Sequence, residues 1–186
     1  MNSTFPFLQA TQIKMLVLDV DGVLTSGDIF LTDRGEQLKA FNVRDGHGIK
    51  MLSRCGVDVA ILTGRTSDVV KHRAKELGIH WVIQGSLNKS LGLEELLTVS
   101  GLTAADCAYM GDDVVDLPAM RRCSLATSPK DGHAAVRNCS EWVSDYAGGQ
   151  GAVRQLAEGL ILSLGKWDAV IEQPYGISPA DCGWQR

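Results

Sequence analysis

A three-layer α/β fold, with helices on both faces of a parallel sheet, is what this sequence predicts. Three observations carry that reading. Short apolar runs alternate with helix-period stretches along most of the 186 residues. Acidic or phosphate-friendly residues recur at the ends of the apolar runs. A single segment after the first run breaks the alternation. Runs separated by amphipathic stretches imply βαβ crossovers.

In chain order, the strand-like runs are Lys14–Val20, Val57–Thr63, His80–Gln84, Cys107–Met110, Ser124–Thr127 and Glu141–Val143. Between them, helix-period segments are expected at Gly48–Arg54, Ser67–Leu77, Lys89–Val99, Val114–Arg122 and Ala134–Asn138, with a longer one from Gly151 to Leu164. Gly56, Gly78 and Gly101 stand where helix C-caps are needed. Asp28–Val43 reads instead as a β-hairpin around Thr-Asp-Arg-Gly-Glu, inserted in the first crossover. Such an insertion overhangs the carboxyl end of the sheet, where open α/β folds bind ligands. The fold class is therefore a Rossmann-like parallel sheet with one hairpin insertion. Residues 1–172 are expected to form a single domain, and 173–186, with Pro174 and Pro179 and no periodicity, a loose tail.

Composition sets the bounds. Hydrophobic residues make up 45%, charged residues 22%, and the net charge is −4 with the signs interspersed, so neither nucleic acid nor an anionic membrane surface is an expected partner. The first residues lack a charged segment leading into an apolar one, and no apolar tract is long enough to span a bilayer, so the cytoplasm is the expected compartment. Five scattered cysteines without C-x-x-C spacing argue against a disulfide framework or a zinc site.

Chemistry concentrates at four run ends. Asp19-Val20-Asp21-Gly22 places two carboxylates two residues apart, a repulsion that a hard divalent cation such as Mg2+ relieves. Thr63-Gly64-Arg65 closes the second run and offers a hydroxyl and a backbone N–H to a phosphoryl oxygen; helix capping by Thr63 accounts for it equally well. Lys89 opens a helix, where the dipole disfavours a cation, which points to a job for its charge such as neutralising Asp19 and a bound phosphate. Gly111-Asp112-Asp113-Val114-Val115-Asp116 clusters acids again, with Asp112 and Asp116 one helical turn apart. Arg65 and Arg73 are candidates for a substrate carboxylate, which guanidinium forks suit. Gly46 and Gly48 flank His47 at an expected helix start, a candidate anion cradle with His47 as a substrate contact.

These four motifs, in this order, resemble those of the haloacid dehalogenase superfamily of phosphatases. The resemblance implies that Asp19 is the nucleophile and Asp21 the general acid/base, while Thr63 and Lys89 hold the phosphoryl group. It implies that Asp19, the Asp21 carbonyl and Asp112 ligate magnesium, with Asp116 supporting from behind. Thr63 follows Asp21 by 42 positions and Lys89 follows Thr63 by 26, which leaves no room for a large cap domain, so a capless member is implied. Within the superfamily, Asp19–Thr25 (DVDGVLT), Phe41–Lys50 (FNVRDGHGIK), Gly111–Pro118 (GDDVVDLP) and Ala147–Arg154 (AGGQGAVR) are similar to the 3-deoxy-D-manno-octulosonate 8-phosphate phosphatases. That likeness implies a small phosphorylated sugar acid as substrate, a role in lipopolysaccharide assembly, and a homotetramer in which the hairpin packs against neighbouring subunits. A phosphatase acting on a nine-carbon, sialic-acid-like 9-phosphate, a non-catalytic assembly domain and a signalling receiver domain are the competing readings. The receiver ranks last, because there the acidic pair precedes the phosphorylated residue.

Overall fold

A computed structural model describes residues 5–35 and 37–184. Residues 1–4, Glu36 of the Thr-Asp-Arg-Gly-Glu segment expected to turn, and Gln185 and Arg186 lie outside the described residues. The chain opens with α1 (Phe7–Ala10) and β1 (Met15–Leu18), followed by a two-stranded ribbon of β2 (Phe30–Leu31) and β3 (Gln37–Leu38). Next come α2 (Val43–Arg54), β4 (Asp58–Leu62), α3 (Asp68–Leu77), β5 (Trp81–Ile83), α4 (Lys89–Ser100) and β6 (Cys107–Met110). The last elements are α5 (Leu117–Met120), β7 (Leu125–Ser128), α6 (Ala134–Cys139), β8 (Trp142–Val143), α7 (Ala152–Ser163) and α8 (Gln173–Tyr175).

Six strands form one parallel sheet in the order β5-β4-β1-β6-β7-β8. Successive side chains of a strand point to opposite faces, and the core divides accordingly. Leu16 and Leu18 of β1 join a cluster with Val59, Ile61, Ala108 and Met110, covered by α2, α3 and α7. Met15 and Val17 join the opposite cluster with Ala60, Leu62 and Tyr109, covered by residues of α4, α5 and α6. Being buried on both faces is why β1, β4 and β6 are continuous apolar runs. Gly78 and Gly101 end α3 and α4 in the left-handed conformation, at φ 75° and 70°, as expected.

Four segments differ from expectation. Helix α2 begins five residues early, because Asn42 accepts from the Arg44 N–H at 2.8 Å and caps it. Helix α5 is only four residues long: Pro118, placed inside a helix starting at 114, would lack its N–H and clash with the preceding turn, so the helix starts at Leu117 instead. The final stretch is docked rather than loose: Trp184 packs edge-on against Phe5 and Phe7, donates from Nε1 to Glu158 at 3.3 Å, and Trp167 Nε1 donates to Ile177 O at 2.9 Å. The hairpin is present but short, two residues per strand, and Val43 belongs to α2. Among the described residues, no helix is long and apolar enough to cross a membrane.

Candidate active site

The register of the three central strands assembles the site. Leu18 pairs with Ile61 on one side and Met110 on the other. The residues that follow, Asp19, Thr63 and Asp112, therefore leave the same edge of the sheet. The N-terminus of α4 brings Lys89 to them. Asp19, Asp21, Thr63, Gly64, Arg65, Lys89 and Asp112 all line one pocket of about 330 Å³, in the range of small-ligand sites.

Lys89 is the electrostatic centre. Its side chain is only 2% exposed, although it opens a helix, because Asn88 caps α4 and lets the lysine turn inward. The ammonium lies 2.8 Å from Asp19 Oδ1 and 3.0 Å from Asp116 Oδ1, and donates to the Leu62 carbonyl at 2.7 Å. The Asp19 contact is an ion pair without hydrogen-bond alignment. Asp116 is fully buried and fully engaged: Tyr109 OH donates to Oδ1 at 2.9 Å, while the Asp112 and Asp113 N–H groups donate to Oδ2 at 3.2 and 3.3 Å. Asp116 thus fixes the loop that presents Asp112.

The acids outnumber the cation that faces them. One carboxylate oxygen each from Asp19, Asp112 and Asp116 falls within a 4.8 Å cluster. Burial, then the Asp116 charge, raises Asp19 to about 6 against the pull of Lys89. Burial, then Asp19, Asp116 and Asp113, raises Asp112 to about 8. Asp112 Oδ1 is buried with no hydrogen-bond donor. An orphaned, oxygen-only donor set beside a second carboxylate fits a hard cation of the magnesium type. Among the described residues, the Asp21 carbonyl accepts no backbone hydrogen bond.

Thr63 is buried and does not cap α3, whose N-cap is Ser67; among the described residues its Oγ1 meets only the Arg65 N–H, at 3.5 Å. Arg65 Nε stands 3.9 Å from Asp21 Oδ2. The remaining expectations fall elsewhere. Gly46, His47 and Arg73 do not line the pocket. Gly46 and Gly48 are buried inside α2, where the Gly46 N–H is spent on Asn42 O at 3.2 Å, so the pair is no anion cradle. They are glycines for closeness: a Cβ on Gly48 would stand 3.0 Å from Arg154 Cα, and one on Gly46 would run into the Arg73 guanidinium. His47 lies between Tyr175 OH and Arg154 Nη1, each at 3.2 Å, and burial and Arg154 hold it below the usual imidazole range. Arg73 pairs with Glu76 at 2.8 Å and lies over the Phe41 ring.

Two polar residues at the site were not anticipated. Lys39, just after β3, makes an ion pair with Asp21 Oδ1, its side chain 5% exposed. Its only sequence signal is the period of two that sets Gln37 and Lys39 on one face and Leu38 on the other. Tyr109 carries a hydroxyl into the middle of a buried strand, which requires a partner nearby.

No family model matches the sequence. Individual relatives do. The chain is 41% identical over 166 residues, 89% of its length and 88% of the relative's, to 3-deoxy-D-manno-octulosonate 8-phosphate phosphatase KdsC of Salmonella typhi. It superposes with a TM-score of 0.87, at 39% identity and covering 90% of this chain and 96% of the other, on the 3-deoxy-D-manno-octulosonate 8-phosphate phosphatase of Moraxella catarrhalis, solved with magnesium ion, phosphate ion and KDO. A subfamily III A hydrolase of the haloacid dehalogenase superfamily from Legionella pneumophila superposes at 0.87 and 34% identity, covering 92% and 94%. With the parallel sheet, the acid cluster at its carboxyl edge and this degree of likeness along most of its length, the chain belongs to the 3-deoxy-D-manno-octulosonate 8-phosphate phosphatases of the haloacid dehalogenase superfamily.

Proposed function

We propose that this chain is a magnesium-dependent phosphomonoesterase that hydrolyses 3-deoxy-D-manno-octulosonate 8-phosphate, releasing the sugar acid for lipopolysaccharide synthesis. The observation that carries it is the buried set of Asp19, Asp112 and Asp116 closed by Lys89, seated in a chain 41% identical to that phosphatase.

In this reading Asp19 is the nucleophile. Its carboxylate attacks phosphorus, the bond to the sugar oxygen breaks, and an aspartyl-phosphate forms. Asp21, protonated, gives its proton to the departing oxygen. It then takes a proton from the water that attacks phosphorus, and Asp19 is released. Lys89 and Thr63 hold the phosphoryl oxygens, and Lys89 offsets charge that grows on them. Asp19, Asp112 and the Asp21 carbonyl, with Asp116 behind them, would hold magnesium, which would supply further positive charge at the phosphoryl oxygens. Gly64 and Arg65 meet the substrate beyond the phosphate, with Arg65 placed for a carboxylate.

Residues 1–172 act as one catalytic unit, with 173–186 as its tail. The ribbon exposes Phe30, Leu31 and Leu38, which supports its packing against neighbouring subunits of a homotetramer. The cytoplasmic location expected from the sequence belongs to the same reading.

The test is phosphate release from 3-deoxy-D-manno-octulosonate 8-phosphate beside a panel of sugar phosphates and a sialate 9-phosphate, with magnesium and with EDTA. Strong, magnesium-dependent preference for the octulosonate ester is expected. Preference for another ester, or full activity in a metal-free sample, overturns it.

A further inference from the structure

We propose that Lys39 is a positioning residue for Asp21, so that the ribbon supplies part of the acid–base step. The inference rests on the assignment of Asp21 as the acid–base group.

Lys39 follows β3, outside the sheet, yet its side chain is 5% exposed and its ammonium meets Asp21 Oδ1. Burying a lysine stem forfeits rotamer freedom, and withdrawing its charge from water is costly unless a partner compensates. The contact is therefore a committed one. Asp21 itself sits in the turn after β1, where no strand pairing fixes its side chain. The other cation near it is Arg65, whose Nε is 3.9 Å from Oδ2 and whose side chain is 43% exposed. A contact that long and that solvated directs a carboxyl weakly. Lys39 is thus the group that determines which way Asp21 points.

Lys39 is not among the residues lining the pocket, whereas Asp21 and Arg65 are. It acts through Asp21 rather than on the substrate. Because the lysine arrives on the ribbon, the seating of the ribbon and the aim of the proton-transfer group are one variable. A shift of about 1 Å in the ribbon carries the ammonium, and the carboxyl with it, out of line with the departing oxygen.

The leaving group supplies the test. A sugar alkoxide needs a proton as it departs; p-nitrophenolate does not. The ratio kcat/KM, which covers steps through cleavage of the ester bond, is measured for the octulosonate 8-phosphate and for p-nitrophenyl phosphate at saturating magnesium. The proteins are wild type, K39M, K39R, D21N and K39M/D21N, with thermal melts to establish folding; K39Q replaces K39M if that variant does not fold. General acid–base groups contribute roughly 10²–10⁴-fold, and misaiming one forfeits part of that. K39M is expected to lose roughly 10-fold or more on the sugar ester and at most about 3-fold on p-nitrophenyl phosphate, with KM little changed. K39R restores part of the loss, and K39M/D21N is no slower than D21N, the non-additivity of residues that act as a unit. Equal losses on both esters, additive losses in the double variant, or a KM rise confined to the sugar acid overturn the proposal. Retained sugar-ester activity in D21N removes the acid–base assignment itself, an outcome separable from any result at Lys39.

Discussion

The hydroxyl of Tyr109, on the fully buried strand β6, donates to Asp116 Oδ1 at 2.9 Å, while the other Asp116 oxygen holds the Asp112 and Asp113 amides. A residue that does not line the site pocket therefore braces the loop that presents Asp112. Replacing Tyr109 by Phe leaves Asp116 Oδ1 to Lys89 alone. A lost hydrogen bond to a buried carboxylate costs about 1–3 kcal/mol, and a chain of this size loses about 2–4 °C in Tm per kcal/mol. Calorimetry should show that drop, and the magnesium concentration for half-maximal activity should rise. An unchanged melt and an unchanged magnesium requirement would mean that the hydroxyl braces nothing.

Asp19→Asn tests the nucleophile. Removing the attacking oxygen should lower phosphate release by about 10³-fold or more. The fold should persist, and the metal-free Tm should hold or rise, because a neutral amide relieves repulsion among Asp19, Asp112 and Asp116. Turnover near the wild-type rate would rule out the aspartyl-phosphate route.

The acid cluster makes a pH prediction whose sign is fixed by the direction of the shifts. Asp112 rises from 3.8 to about 8 and Asp19 from 3.8 to about 6 on folding. Between those limits the metal-free folded chain binds more protons than the unfolded one. The contribution of these two groups to stability is therefore largest below their unfolded values and is lost as pH rises through the folded ones. Magnesium needs the ionised carboxylates, so its stabilising effect should grow over the same window. Melts at about pH 5.5, 7 and 8.5 should show a falling metal-free Tm and a widening magnesium-induced gain. A gain independent of pH would place the metal elsewhere.

Gly48→Ala separates packing from anion binding. The added Cβ would lie 3.0 Å from Arg154 Cα, a backbone atom that cannot swing aside. Overpacking of this kind costs about 1–3 kcal/mol. A lower Tm with an unchanged KM is expected; a higher KM with an unchanged Tm would restore the cradle.

The central strand positions are legible because burial on both faces makes β1, β4 and β6 compact, largely apolar runs: β6 coincides with Cys107–Met110, and β1 and β4 lie one or two residues inside their runs. The start of α2 is not, because its first two turns contain Gly46 and Gly48, poor helix formers on their own. Those turns are stabilised from outside, by Asn42 and by close packing on α7. Pro118 is the local signal for the short α5, since it fits only the first turn of a helix. At the site, Asp19, Thr63, Lys89 and Asp112 were readable from their positions at strand and helix ends. Lys39 and Tyr109 were not, since their partners, Asp21 and Asp116, are set by tertiary packing that no local pattern encodes.

Gly148 and Gly149 press their backbones against the turn that follows Asp21. A Cβ on Gly148 would run into the Gly22 carbonyl, and one on Gly149 would meet Thr25 at 2.6 Å, all main-chain atoms. The loop before α7 is thus a backstop for the turn that carries Asp19 and Asp21, although more than a hundred residues separate them in the sequence. Inherited variation at these two glycines would disable the enzyme without altering a single group that faces the pocket. A survey of damaging substitutions would find a second cluster there, far along the sequence from the four motifs, in a stretch where a reader of the chemistry alone would see nothing at stake.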